Sequence, residues 1–181
     1  MPWRSAGRLA RLGSRPILEE GPIAPRLYED VSRSPVNDYP NRPLIGVGAV
    51  VVKGARVLLV RRAKAPRAGR WSLPGGRQRL GETVRETAAR EVREEAGIEV
   101  EVTALLDVVD SITRDEDGAI AYHYTLVDFL AEWRAGDARA GGDATEAVWA
   151  DPGDLAPYDL WDETLRLIAM GLIAMGIEKP G

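Results

Sequence analysis

One stretch limits what this chain can be more than any other: Gly76 to Ile98, reading GRQRLGETVRETAAREVREEAGI. Between Glu82 and Ala96 it holds neither Pro nor Gly, so the spacing predicts a helix there. Gly97 stands where a left-handed residue would stop that helix. Glu91, Glu94 and Glu95 recur at three- and four-residue steps and therefore project from one face. Ala88, Ala89, Val92 and Ala96 occupy the adjacent arc, small and apolar enough to pack closely on a sheet. Crowded carboxylates repel, at about 0.2–0.5 kcal/mol per i,i+4 pair on an exposed helix. A hard divalent cation with oxygen ligands, Mg2+ or Mn2+, removes that repulsion. Gly76, ahead of the helix in LPGG, predicts a sharp turn able to aim a backbone carbonyl at the same cation. A merely solvated charged face would need the glutamates but not Gly76, Glu82, Arg90 and Gly97 in fixed register with them. The reading is a metal site.

Read as fixed positions, the stretch runs Gly76, five residues, Glu82, seven residues, then Arg90-Glu91-Val92-Arg93-Glu94-Glu95-Ala96-Gly97-Ile98. In that form it resembles the Nudix box of the Nudix hydrolase superfamily. The resemblance is specific for the family and much less so for the substrate.

The remainder of the chain supplies a sheet and a second helix. At 181 residues and 45% hydrophobic content it has enough apolar material for one core and an appendage. A net charge of -4 argues against a nucleic-acid partner, and the lack of cysteine excludes a disulfide framework or thiolate metal site. No apolar run approaches the length of a membrane span, so a cytoplasmic protein without membrane association is expected. Residues 1–42, broken by repeated Pro, read as a poorly structured N-terminal leader. Arg4, Arg8, Arg11 and Arg15 also allow a targeting segment there, and an upstream start site is the third reading. A domain is expected over residues 43–176 and a short tail over 177–181. A homodimer stays open.

Leu44 to Val52 is nearly all apolar, as in a buried central strand; Lys53-Gly54-Ala55 turns the chain, and Arg56 to Val60 returns as its hairpin partner. Arg61 and Arg62 leave that strand beside the basic loop AKAPRAGR, suited to phosphate or base recognition. Ile98 to Val109 alternates as a half-buried strand, Thr113 to Gly118 is a polar turn, and Ala119 to Trp133 is a long strand. His123, the sole histidine, reads as structural. After a Gly/Asp loop, Glu146 to Trp149 is a short strand. From Asp159 onward Trp161, Leu165, Ile168, Ala169 and Leu172 mark a helix closed by Gly176. The fold class is α/β: a Nudix-type α/β/α sandwich with a mixed sheet between the box helix and a C-terminal helix.

The resemblance also implies roles. Glu91, Glu94 and Glu95, with the Gly76 carbonyl, are similar to the family's metal ligands, and one of these glutamates or an acid from a later loop is its water-activating base. Arg90 matches the arginine that orients a box glutamate, and Glu82 the glutamate that supports the site from its edge. The extra acid is Asp143 or Glu146. Arg61 and Arg62 are expected at substrate, and Arg62 with Trp161 and Asp162 stand where related enzymes contact the base. The activity implied is Mg2+- or Mn2+-dependent hydrolysis of a nucleoside diphosphate linked to another group, a small-molecule nucleotide. ADP-ribose or a related nucleotide sugar is the first expectation, although no proline follows the box before Pro152. The alternatives are hydrolysis of oxidised or non-standard nucleoside triphosphates, and a non-catalytic nucleotide-sensing module.

Overall fold

The computed structural model describes residues 39–64 and 68–177, all within the unit that begins at Pro35. Seven strands form one mixed sheet: β1 (Leu44–Lys53), β2 (Arg56–Arg62), β3 (Trp71–Ser72), β4 (Gly75–Arg77), β5 (Glu99–Arg114), β6 (Ile120–Ala135) and β7 (Ala144–Ala150). Two helices, α1 (Val84–Ala96) and α2 (Asp162–Ala174), cover its faces. The main path runs β3-β2-β1-β6-β5, with β4 added to β1 and β7 to β2. This is the α/β/α sandwich expected. The leader expectation falls mostly outside the described residues. Of its described end, Tyr39 donates its N–H to the Ala121 carbonyl (2.9 Å) and its hydroxyl to Asp115 (2.7 Å). The tail beyond Ile177 also lies outside them.

The apolar run of β1 is explained by two covered faces. Val47, Ala49 and Val51 point to one core, where Ala88, Val92 and Ala96 of α1 meet Leu58, Val60 and Phe129. Val50 and Val52 point the other way, to Leu167, Ile168 and Leu172 of α2 with Val57, Leu59 and Leu130. β1 lies parallel to β6 from Leu44↔Tyr124 to Val52↔Glu132, while β2 joins it only near the hairpin turn, at Val52↔Val57. Toward its N-terminal end β1 pairs with β4 instead, through Gly46↔Arg77, Val47↔Gly76 and Gly48↔Gly75. β1 and β2 therefore diverge where the box begins. At the opposite end the Lys53 ammonium sits over the Trp133 ring, 3.8 Å from its centroid.

Several local expectations change. Gly76 makes no sharp turn; it lies in β4, and its backbone is not in the left-handed region. Its lack of a side chain matters for another reason, since a Cβ there would stand 2.5 Å from the Glu91 carboxylate. α1 starts at Val84 rather than Glu82, because Thr83 caps it: its hydroxyl accepts from the Glu86 N–H and Glu86 accepts from the Thr83 N–H. Glu82 is thus placed in the loop before the helix. Gly97, at φ 67°, ends the helix as expected. α2 begins after a 3₁₀ turn at Ala156–Tyr158 and buries Thr164, Leu167, Ile168, Gly171 and Leu172. Trp161 and Leu165, expected on its core stripe, sit at the edge and are each 38% exposed. Gly171 lets α2 approach β1, since a Cβ there would be 2.9 Å from Val50 Cγ1.

Candidate active site

The site is assembled where β4 and α1 meet the diverging ends of β1 and β2. Arg90 is its structural hub. All five of its N–H donors are used. Nε and Nη2 grip both oxygens of Glu82 (2.6 and 3.0 Å), and Nη1 reaches Glu91 (2.7 Å) and Glu94 (3.2 Å). The remaining donor goes to the Arg77 carbonyl (3.2 Å). Glu82 also accepts from the Arg79 N–H and the Thr87 hydroxyl. With Arg90 as the main cause, its carboxyl is held down at about 2. The guanidinium is correspondingly stabilised in its charged form, chiefly by Glu82.

The three box glutamates share a side of α1 but not an environment. Glu95 is 4% exposed, with Oε2 accepting from the Gly75 N–H at 2.9 Å. Burial pushes its carboxyl up to about 7; the Gly75 hydrogen bond opposes this, the Glu91 and Asp143 charges add to it and the Arg62 charge counters it. Glu91 is largely covered, lying between Arg90 and the bare backbone of Gly76. Glu94 is the outer one, its side chain 41% exposed, and Oε2 accepts from Arg79 Nη2 (3.1 Å) as well as from Arg90.

Beside this cluster, on the α2 side, a cavity of about 320 Å3 is lined by Arg62, Arg70, Trp71, Ser72, Asp159, Trp161 and Thr164. Trp71 is braced edge-on by Tyr158, with centroids 5.2 Å apart. Arg70 bonds to both the carboxylate and the carbonyl of Asp159, a residue held at φ 45°. Of the residues expected at substrate, Arg62 and Trp161 line this cavity. Asp162 does not; it sits in the first turn of α2. Arg61 is turned away, tied to Glu146 (2.8 Å) and the Gly69 carbonyl (2.9 Å). Glu146 is thereby committed to a cross-strand ion pair, whereas Asp143, paired with Lys64 at 2.6 Å, is the acid whose charge reaches Glu95. Sequence reading did not single out Trp71, Ser72, Asp159 or Thr164, which hold no motif position, nor Arg79, one of the five unspecified residues between Gly76 and Glu82; Arg70 ends the basic loop AKAPRAGR.

Profile comparison matches the NUDIX domain to residues 42–170. The chain belongs to the Nudix hydrolase family. An ADP-ribose pyrophosphatase of Methanocaldococcus jannaschii is 36% identical over 113 residues, 62% of this chain and 64% of that protein. A Mycobacterium tuberculosis protein provisionally named an 8-oxo-dGTP diphosphatase is 36% identical over 116 residues, 64% of this chain and 78% of its own. The crystal structure of a MutT Nudix hydrolase from Burkholderia pseudomallei superposes with a TM-score of 0.62 at 34% identity, covering 71% of this chain and 98% of that one. This Nudix chain thus spans a little under two thirds of the Methanocaldococcus protein.

Nudix hydrolases generally use divalent metal ions. The residues fit such an ion in kind: Glu91, Glu94 and Glu95 are hard oxygen donors, and buried Glu95 is short of positive charge. They are not gathered around one point, since no three Asp, Glu, His or Cys side chains among the described residues converge as a preformed cation site. The guanidinium groups of Arg90 and Arg79 hold Glu91 and Glu94 instead.

Proposed function

We propose that this Nudix hydrolase cleaves the diphosphate of a nucleoside diphosphate linked to a second group, releasing a nucleoside monophosphate. One observation carries the reading: Arg62 lines the Trp71–Trp161 cavity and also acts on buried Glu95. A base held in the cavity would therefore have its phosphates led toward the box carboxylates. Glu91, Glu94 and Glu95, with the Gly76 carbonyl, would hold Mg2+ or Mn2+. Such an ion neutralises charge on the diphosphate and acidifies a bound water. Arg90 keeps its grip on Glu82 and Glu91 and so fixes the helix face against β4. Arg62 offers a cation to the phosphates, and Trp161 an apolar face to the base. Burial pushes Glu95 up to about 7, and a cation held there would favour the carboxylate form that a metal ligand must have.

ADP-ribose or a related nucleotide sugar is the first substrate reading, supported by the likeness to the Methanocaldococcus pyrophosphatase. The oxidised nucleoside triphosphate reading has its own support in the mycobacterial relative, and in Arg61, whose pairing with Glu146 removes a donor expected at an extended substrate. Turnover of ADP-ribose, other nucleotide sugars, NADH and oxidised dNTPs, each with Mg2+ and with Mn2+, separates them. ADP-ribose or a nucleotide sugar is expected to give the highest kcat/KM. A hundredfold preference for an oxidised triphosphate, about 2.7 kcal/mol in the transition state, replaces that choice. Binding without turnover of any member removes the diphosphate-hydrolysis reading.

A further inference from the structure

Glu94 is the box carboxylate least covered by protein, and two guanidinium groups meet on one of its oxygens. The two are not equivalent. Arg90 is 13% exposed in its side chain and has every donor engaged, so its position is set by Glu82, Glu91 and the Arg77 carbonyl. Arg79 is 59% exposed, and Glu94 is the one carboxylate its side chain pairs with among the described residues. Its backbone, by contrast, is anchored: the Arg79 N–H donates to Glu82 Oε2, and the Arg79 carbonyl accepts from the Glu82 N–H, both at 3.1 Å. Gln78 reinforces the loop by donating to the Glu82 carbonyl at 2.6 Å. The result is an anchored backbone carrying an exposed guanidinium beside the outer carboxylate of the cluster.

We propose that Arg79 is a positioning residue that competes with the divalent cation for Glu94 and so sets how tightly the Nudix site takes its metal. The proposal rests on the metal reading given above. Arg79 pairs with Glu94 Oε2 at 3.1 Å, and a cation that takes that oxygen would have to displace the Arg79 guanidinium. Arg90 need not move: its 3.2 Å contact to that oxygen can open while Glu82, Glu91 and the Arg77 carbonyl keep the guanidinium in place. The pair lies open to solvent, so its strength is modest and falls with salt.

The test is direct Mn2+ binding to the full chain, read from the free-ion electron paramagnetic resonance signal without substrate. Arg79→Gln is expected to lower the Mn2+ dissociation constant roughly three- to fivefold at low ionic strength. The gain should shrink in about 0.5 M salt, where the screening length is only a few ångströms. Arg79→Lys should restore most of the unsubstituted value. Arg77→Gln removes the same charge two residues away, at the end of β4, and is expected to tighten binding less than half as much. Equal tightening by Arg77→Gln would mean a general charge effect and overturns the proposal. So does an unchanged or weaker affinity in Arg79→Gln whose melting temperature matches that of the unsubstituted chain. If the unsubstituted chain binds no Mn2+, the metal reading itself fails; if it binds and Arg79→Gln is silent, only the competition fails.

Discussion

Glu82 and Glu95 belong to one motif and differ in what surrounds them. Arg90 grips the first through two hydrogen bonds and holds its carboxyl down at about 2, whereas loss of water around the second raises it to about 7. Glu82 is therefore a fixed anion, whereas Glu95 is a buried carboxyl whose charge needs a partner. Replacing Glu95 with Gln should cut kcat by roughly a thousandfold, since a charged oxygen donor is lost from the centre of the cluster. The melting temperature should hold or rise, because a neutral amide removes a buried charge while its oxygen still accepts from the Gly75 N–H. Steady-state rates with thermal melts decide it, and near-normal kcat would remove Glu95 from the mechanism.

Among the elements, the parallel β1–β6 pair carries an unusual burden. Asp128 is 5% exposed on β6, opposite Gly48, with Oδ2 lacking any hydrogen-bond partner and Oδ1 filling the space a Cβ of Gly48 would need. Burial, aided by the Asp107 charge and opposed by Arg166, raises its carboxyl from 3.8 to about 6. A raised acid binds its proton more tightly when folded. Its penalty is absent below the unfolded value of 3.8, grows as pH rises, and is complete above about 6. Asp128→Asn should therefore gain melting temperature over the unsubstituted chain as pH goes from 4 to 7, by the equivalent of about 2–3 kcal/mol. Melts of both proteins across that range test it; a difference that does not change with pH contradicts the assignment.

For the whole molecule, the sandwich presents its carboxylates with little positive charge beyond that of neighbouring arginines. A divalent cation that binds the folded chain alone should then stabilise it, by about 1.4 kcal/mol at ten times its dissociation constant. For a domain of this size that is about 3–6 °C. Melting in chelator against millimolar Mg2+ or Mn2+ reads it, and curves that coincide speak against metal binding at the box. No helix among the described residues is long and apolar enough to cross a membrane.

How much of this was legible in the chain follows from the range of the interactions. Helix α1, its stop at Gly97, the apolar β1 and its hairpin with β2 rest on patterns a few residues long, and they were readable. So was the family, because the box is contiguous. The pairing of Arg61 with Glu146 spans 85 positions, that of Arg79 with Glu94 spans 15, and the cavity collects residues from Arg62 to Thr164. No periodicity reports such meetings. Even the reason for Gly76 was inaccessible, since it depends on where the Glu91 carboxylate comes to rest against β4 rather than on backbone freedom. By itself the sequence determined which carboxylates share a helix face, through the 3.6-residue turn. Only the tertiary structure decided which of them loses its water, because burial of Glu95 follows from how α1 is laid across the sheet.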